Sequence, residues 1–215
     1  MTSRTSLFVR KRVCAVVLAL SLVPVTACTA GGTTPGATAS SESSSPTAPP
    51  TPTATPTASY RPADASGRAQ NVPVPVLPDA AKAETKEGLE AFARYWYQLL
   101  NFAYETGDLS LVKAASSRTC ALCEKVFPGI EKWNTEGRWI VGSTVTVHAV
   151  QSTFVRTGDG DYQVAIQSQQ TAGSLKNADG TEAQAVDESG MLGDILVARH
   201  VSGSWTVKNV DRLGG

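Results

Sequence analysis

The chain has 215 residues, with 19 basic and 19 acidic side chains, two histidines and four cysteines. Such a balance gives no electrostatic footprint for nucleic acid. It is also uneven, because the first 27 residues hold four of the basic side chains and none of the acidic ones. The remainder therefore carries a formal charge of −4, which argues against adhesion to an anionic membrane surface as well.

Arg4, Arg10, Lys11 and Arg12 precede an apolar stretch from Val13 to Val25, which runs into Val25-Thr26-Ala27-Cys28. A basic head, a short apolar core and small residues before a cut describe an export signal. The stretch is too short for a spanning helix, which needs about 20 residues. Val-Thr-Ala-Cys resembles the lipobox of bacterial lipoproteins, whose cysteine is diacylated once the signal has been removed before it. The resemblance implies a signal peptide over 1–27, a palmitate-type anchor on Cys28 and a place on the extracytoplasmic face of the cell membrane. Two acyl chains hold stably where one is marginal, each buried methylene contributing about 0.8 kcal/mol. Cys14 then leaves with the signal, so that only Cys120 and Cys123 remain in an oxidising compartment.

From Thr29 to about Leu77 the chain is dominated by Thr, Ser, Ala, Pro and Gly, and ten of the 12 prolines fall between Pro35 and Pro78. Its composition predicts a disordered tether with polyproline II character, from the lipidated cysteine through residue 77. Such Ser/Thr/Pro tracts also occur as O-glycosylated stalks.

Residues 78–215 are expected to fold as one unit around a single core. The spacing of Leu89, Phe92, Trp96, Leu99 and Ala103 predicts an amphipathic helix over Ala80–Thr106, and Tyr95 and Phe102 widen its apolar stripe. Gly107 ends it and Asp108 caps a short helix over Leu109–Ala115. A third helix is expected from Thr119 or Cys120 to about Thr135, bent or broken at Pro128-Gly129. Beyond Gly137 the period changes. Strands are expected over Ser143–Val155, around Tyr162–Gln167 after a Gly158-Asp159-Gly160 turn, near Thr181–Val186, over Asp194–Val201 and over Ser204–Val210. Helices followed by an antiparallel meander predict an α+β fold with the helices on one side.

A long amphipathic helix, Gly107-Asp108 with a short helix, and a curved sheet ending in Trp205-x-Val207 together resemble the nuclear transport factor 2-like (cystatin-like) roll. The lipobox, the Thr/Pro tether, Cys120-x-x-Cys123 and Gly137-x-Trp139 are similar to an actinobacterial lipoprotein family of unknown function. These resemblances imply a fold and a location, and carry no activity.

Cys120-Ala-Leu-Cys123 is the most pointed motif. Near a helix N-terminus its first thiolate would be stabilised, which suits thiol–disulfide exchange. The segment lies between helices, however, and lacks the strand before it that redox CxxC motifs have. A structural disulfide that pins the turn is the favoured alternative, contributing about 2 kcal/mol for so small a loop. Zinc would need both His148 and His200 as further ligands, with no tight histidine spacing to support them. His148 faces outward if Val145, Val147 and Ala149 face the core, and inward if Val150 and Phe154 do. A bulge would reconcile the two. Rolls of this kind often enclose a pocket, and Asp161, Tyr95, Tyr104 and His148 are the residues from which an acid–base set would be drawn. No phosphate loop, nucleophile elbow, paired-histidine metalloprotease helix or calcium loop is present.

The resulting expectation is a lipid-anchored α+β roll acting as a non-catalytic accessory module. A pocket lined by Tyr95, Trp96, His148 and Phe154 would take a small apolar ligand or a segment of an envelope protein. No cofactor or metal is expected. A small-molecule enzyme using the roll pocket, and a thiol–disulfide oxidoreductase acting through Cys120 and Cys123, are the alternatives.

Overall fold

The computed structural model describes residues 58–214. The expected signal peptide, Cys28 and the Thr/Pro tract up to residue 57 lie outside them. After a short 3-10 turn at Asp79–Lys82, three helices follow: α1 (Lys86–Thr106), α2 (Ser110–Ala114) and α3 (Ala121–Trp133). Seven strands complete the chain: β1 (Trp139–Gly142), β2 (Val145–Gln151), β3 (Tyr162–Gln170), β4 (Gly173–Lys176), β5 (Glu182–Val186), β6 (Leu192–Val201) and β7 (Ser204–Leu213).

The expected start of the long helix at Ala80 is corrected to Lys86. Thr85 caps α1, its hydroxyl accepting from Gly88 N–H at 3.0 Å. The preceding 3-10 turn folds back over that first turn so closely that a Cβ on Gly88 would sit 2.2 Å from Ala83 O. At the other end Gly107 adopts a left-handed φ of +80°, and a Cβ there would meet Asn134 Cβ at 2.4 Å. The same glycine thus stops α1 and lets the end of α3 approach it. Helix α3 runs through Pro128 without a break, since Phe127 and Ile130 on either side of it are both buried.

The strands form two antiparallel sheets, ordered β2-β3-β6-β7 and β1-β4-β5. They are joined by one long hairpin bent in the middle: β1 passes into β2 across Ser143-Thr144, and β3 into β4 across Thr171-Ala172. Gly142 and Gly173 face each other at the bend. A Cβ on Gly173 would lie 2.3 Å from Val141 O, so the close approach that curves the sheet needs glycine there.

The concave face of the four-stranded sheet and the apolar face of α1 bury one core. Trp96, Leu89 and Leu99 meet Val164, Leu196 and Val207, all at 1 % exposure or less. Both edges of this sheet are occupied. Along β2 the side chains of α1 serve the free backbone: Asn101 accepts from Val145 N–H at 2.7 Å and donates to Val145 O at 2.8 Å. Glu90 accepts from Ser152 N–H at 2.9 Å. Along β7, Val207 N–H donates to Ala115 O and Ser117 N–H to Val207 O, so the chain after α2 adds a short parallel rung. Covering edges in this way removes a template for unwanted pairing.

Residues 58–77, expected in the tether, are held against the domain instead. Arg61 and Gln70 exchange backbone hydrogen bonds, Trp139 Nε1–H donates to Asp64 O, and Arg68 Nη2 donates to Asn134 O and Arg138 O. Tyr60 OH donates to Glu105 Oε2 at 2.6 Å. Proline-rich composition misled here because these contacts come from a few polar and aromatic side chains spaced through the segment.

Candidate functional site

The four residues expected to line a roll pocket do not come together. Trp96 is fully buried and spends its indole N–H on Ser116 Oγ at 2.8 Å. Tyr95 is half-buried, and burial pushes its phenol above the usual range. His148 is exposed. It sits where the register of β2 slips between Val147 and Ala149, so the bulge lets Val147 and Val150 both pack on the core while the histidine is pushed out. Phe154 is half-buried and stacks on Tyr162 at 4.5 Å. Asp161 pairs with Arg199 at 2.6 Å beside its turn.

The interior is closed around a residue the sequence reading did not single out. Asp194 has no exposure. Its Oδ2 accepts from Tyr97 OH at 2.8 Å and Ser168 Oγ at 3.2 Å, and its Oδ1 from Arg212 Nε at 2.5 Å. Burial, and then the Asp194 charge, drive the Tyr97 phenol far up, so it stays a donor. A buried carboxylate is tolerable only when paired and hydrogen-bonded, and both requirements are met here. The signal was legible: Asp194 shares its parity with Leu196 and Ala198 on β6 and therefore had to face inward.

A second cluster ties the entry of α1 to the sheet. Glu84 Oε1 accepts from Tyr162 OH at 2.9 Å and pairs with Arg156 Nη2, while His200 Nδ1 lies 3.5 Å from Glu84 Oε2. The Arg156 hydrogen bond, followed by that of Tyr162, holds the Glu84 carboxyl below the usual range. Trp205 stands against Tyr162 and His200, and its indole N–H donates to Ala83 O at 3.1 Å. This cluster fastens residues 82–85 to the sheet.

An open groove lies on the helical flank. Cys120 is the cap of α3, and its Sγ accepts from Cys123 N–H at 3.2 Å. The two sulfurs are at disulfide distance, with Cα atoms 5.2 Å apart. Ala121 N–H donates to Asn209 Oδ1 at 2.8 Å, which fixes this end of α3 on β7. Cys120 has no exposure and Cys123 has 4 %. Beside the pair runs a groove of about 510 Å³ between α2 and α3. Cys123, Phe127 and Pro128 form its floor, with Lys113, Ser116, Ser117 and Arg118 along one bank and Glu124 and Glu131 along the other. Among the described residues no group of three His, Cys, Asp or Glu side chains is placed to hold a metal ion. No helix among them is long and apolar enough to cross a membrane.

Residues 58–211 match the model of a family of unknown function, DUF6318, and this stretch is nearly all of the folded unit. The chain belongs to that family. No curated protein matches the chain in sequence. Among solved structures, the intermembrane space region of the chloroplast protein ARC6 is similar at 9% identity and a TM-score of 0.42, covering 61% of this chain and 98% of that one. Aln2 from a Streptomyces species is similar at 11% identity and a TM-score of 0.38, covering 58% and 89%. A protein of unknown function with a cystatin-like fold from Nostoc punctiforme is similar at 10% identity and a TM-score of 0.29, covering 59% and 89%. The helices laid on a bent antiparallel sheet make this member of the family an α+β roll.

Proposed function

We propose that this family member is a lipoprotein, anchored through Cys28 to the extracytoplasmic face of the cell membrane. There the roll works as a non-catalytic binding module through its α2–α3 flank rather than its interior. The observation that carries this reading is the contrast in access between the two. Both Asp194 oxygens are engaged and the carboxylate has no exposure, whereas the groove of about 510 Å³ opens beside Cys123. That volume falls within the roughly 300–1,000 Å³ of ligand-sized sites. The anchor is supported by the lipobox-like Val25-Thr26-Ala27-Cys28 and by the Thr/Pro tract between it and residue 58, where the family match begins.

Growth with an alkyne analogue of palmitate tests the anchor. The full chain is expected to take the label and sediment with membranes, and Cys28→Ala to lose both. An unlabelled wild-type chain recovered in the medium would refute the anchor.

For the cysteine pair we favour a structural role, because neither sulfur is exposed enough for a thiolate to approach in line. A reduction potential above about −200 mV would favour thiol–disulfide exchange instead.

A further inference from the structure

The charges around the groove select its occupant. Lys113 and Arg118 stand on the α2 bank, and Glu124 and Glu131 on the α3 bank. All four are exposed, and none is in an ion pair among the described residues. Glu124 and Glu131 are two turns apart on α3, about 10 Å along its axis. Phe127 and Pro128 fall between them on the same side of the helix.

A second helix lying along α3 repeats at the same interval, because its own residues i and i+7 share one face. Basic residues at i and i+7 would meet Glu124 and Glu131. Apolar residues at i+3 and i+4 would then rest on Phe127, Pro128 and Cys123, and acidic residues on the far flank would reach Lys113 and Arg118. We propose that the groove takes an amphipathic helix of another envelope protein, its basic flank toward α3 and its acidic flank toward α2. This rests on the reading of the α2–α3 flank as the working surface, and names what it holds. A loose apolar ligand would use the floor alone and none of the four charges on the banks.

The full chain, extracted in detergent with its anchor, is titrated with two labelled helical peptides three heptads long and identical in composition. One carries Lys at i and i+7 with Glu on the opposite flank; the other has the two exchanged. The first is expected to bind roughly ten-fold more tightly, the yield of a few part-exposed ion pairs. Glu124→Lys and Glu131→Lys combined with Lys113→Glu and Arg118→Glu, which exchange the charges of both banks, should reverse the preference, with an unchanged far-ultraviolet spectrum to show that the four exposed positions are tolerated. Equal affinities, binding of neither peptide, or a preference that survives the exchange of both banks would each overturn the proposal. Palmitate labelling of the same preparation separates this from failure of the anchor: a labelled chain that ignores both peptides loses only the groove.

Discussion

Inside the roll, Asp194 has no exposure and meets three donors, whereas on the α2–α3 flank four charged side chains stand exposed and, among the described residues, unpaired. The difference follows from solvent. In a low-dielectric interior an uncompensated charge is very costly, so every atom of Asp194 is committed to holding the fold. On the surface water compensates each charge, and the side chains remain free to be used by a partner at small cost. The same charge type therefore serves stability in one region and, on the proposed reading of the flank, is left free for a partner in the other.

The contrast is broken most directly at its buried end. Asp194→Ala leaves Tyr97 OH and Ser168 Oγ without their acceptor and Arg212 without its counter-ion, and should cost about 3–5 kcal/mol in urea unfolding. Glu131→Ala on the flank should stay within about 0.5 kcal/mol. If Asp194→Ala cost less than about 1 kcal/mol, water would already reach the carboxylate and the closed interior would be wrong.

Next in size is the cysteine pair, which belongs to both regions because it closes the end of α3 and forms part of the groove floor. Replacing Cys120 and Cys123 by serine should lower stability by about 2 kcal/mol, with the loss expressed in α3 rather than in the sheet. Hydrogen exchange reads this directly: amides of α3 should open first while those of β3 and β6 keep their protection. Uniform loss across the sheet would mean that the pair supports the whole roll.

The parts of the molecule legible in the sequence are those with a single period. The α1 stripe was readable because Leu89, Phe92, Trp96, Leu99 and Ala103 repeat with the helix, and all five are buried. The inward parity of Tyr162, Val164 and Ile166 was readable for the same reason. Where two periods meet, the pattern fails. His148 had no assignable face because the bulge at that residue changes the parity of β2. Strands β1 and β4 have four residues each, too few to show alternation, and they exist because the glycine pair bends a longer hairpin. The groove was not legible at all. Its banks come from α2, the loop after it and α3, and only the fold sets them side by side.

A smaller effect lies at the Glu84 cluster. Its carboxyl is held below the usual range, first by Arg156 and then by Tyr162, so its contribution is present above the pKa of the unfolded chain. The contribution fades as pH falls through the lowered folded value. Glu84→Gln should therefore lower the neutral plateau slightly and converge with the wild type at acid pH, which flattens the acid limb of the stability curve. A parallel shift of the whole curve would instead assign the cluster to packing around Trp205.

The smallest expected effect sits where the described chain begins, and it decides whether residues 58–60 belong to the roll or to the tether. Tyr60 is 44% exposed, yet its hydroxyl donates to Glu105 at 2.6 Å, and that bond is the main reason its pKa is pushed up to about 12. A raised folded pKa means stability fully present below the unfolded value near 10 and lost as pH rises through 12. Tyr60→Phe should cost under about 1 kcal/mol at neutral pH, since the pair is open to solvent. The sharper reading is spectrophotometric. Tyr95, Tyr97 and Tyr104 are also raised, chiefly by burial, so a total titration curve would blur them together. The difference between wild-type and Tyr60→Phe curves isolates one phenol. A midpoint near 12 places Tyr60 against α1 in solution. A midpoint near 10 would mean that Tyr60 does not rest on α1, and that the chain joins the roll only from the Arg61–Gln70 pairing onward.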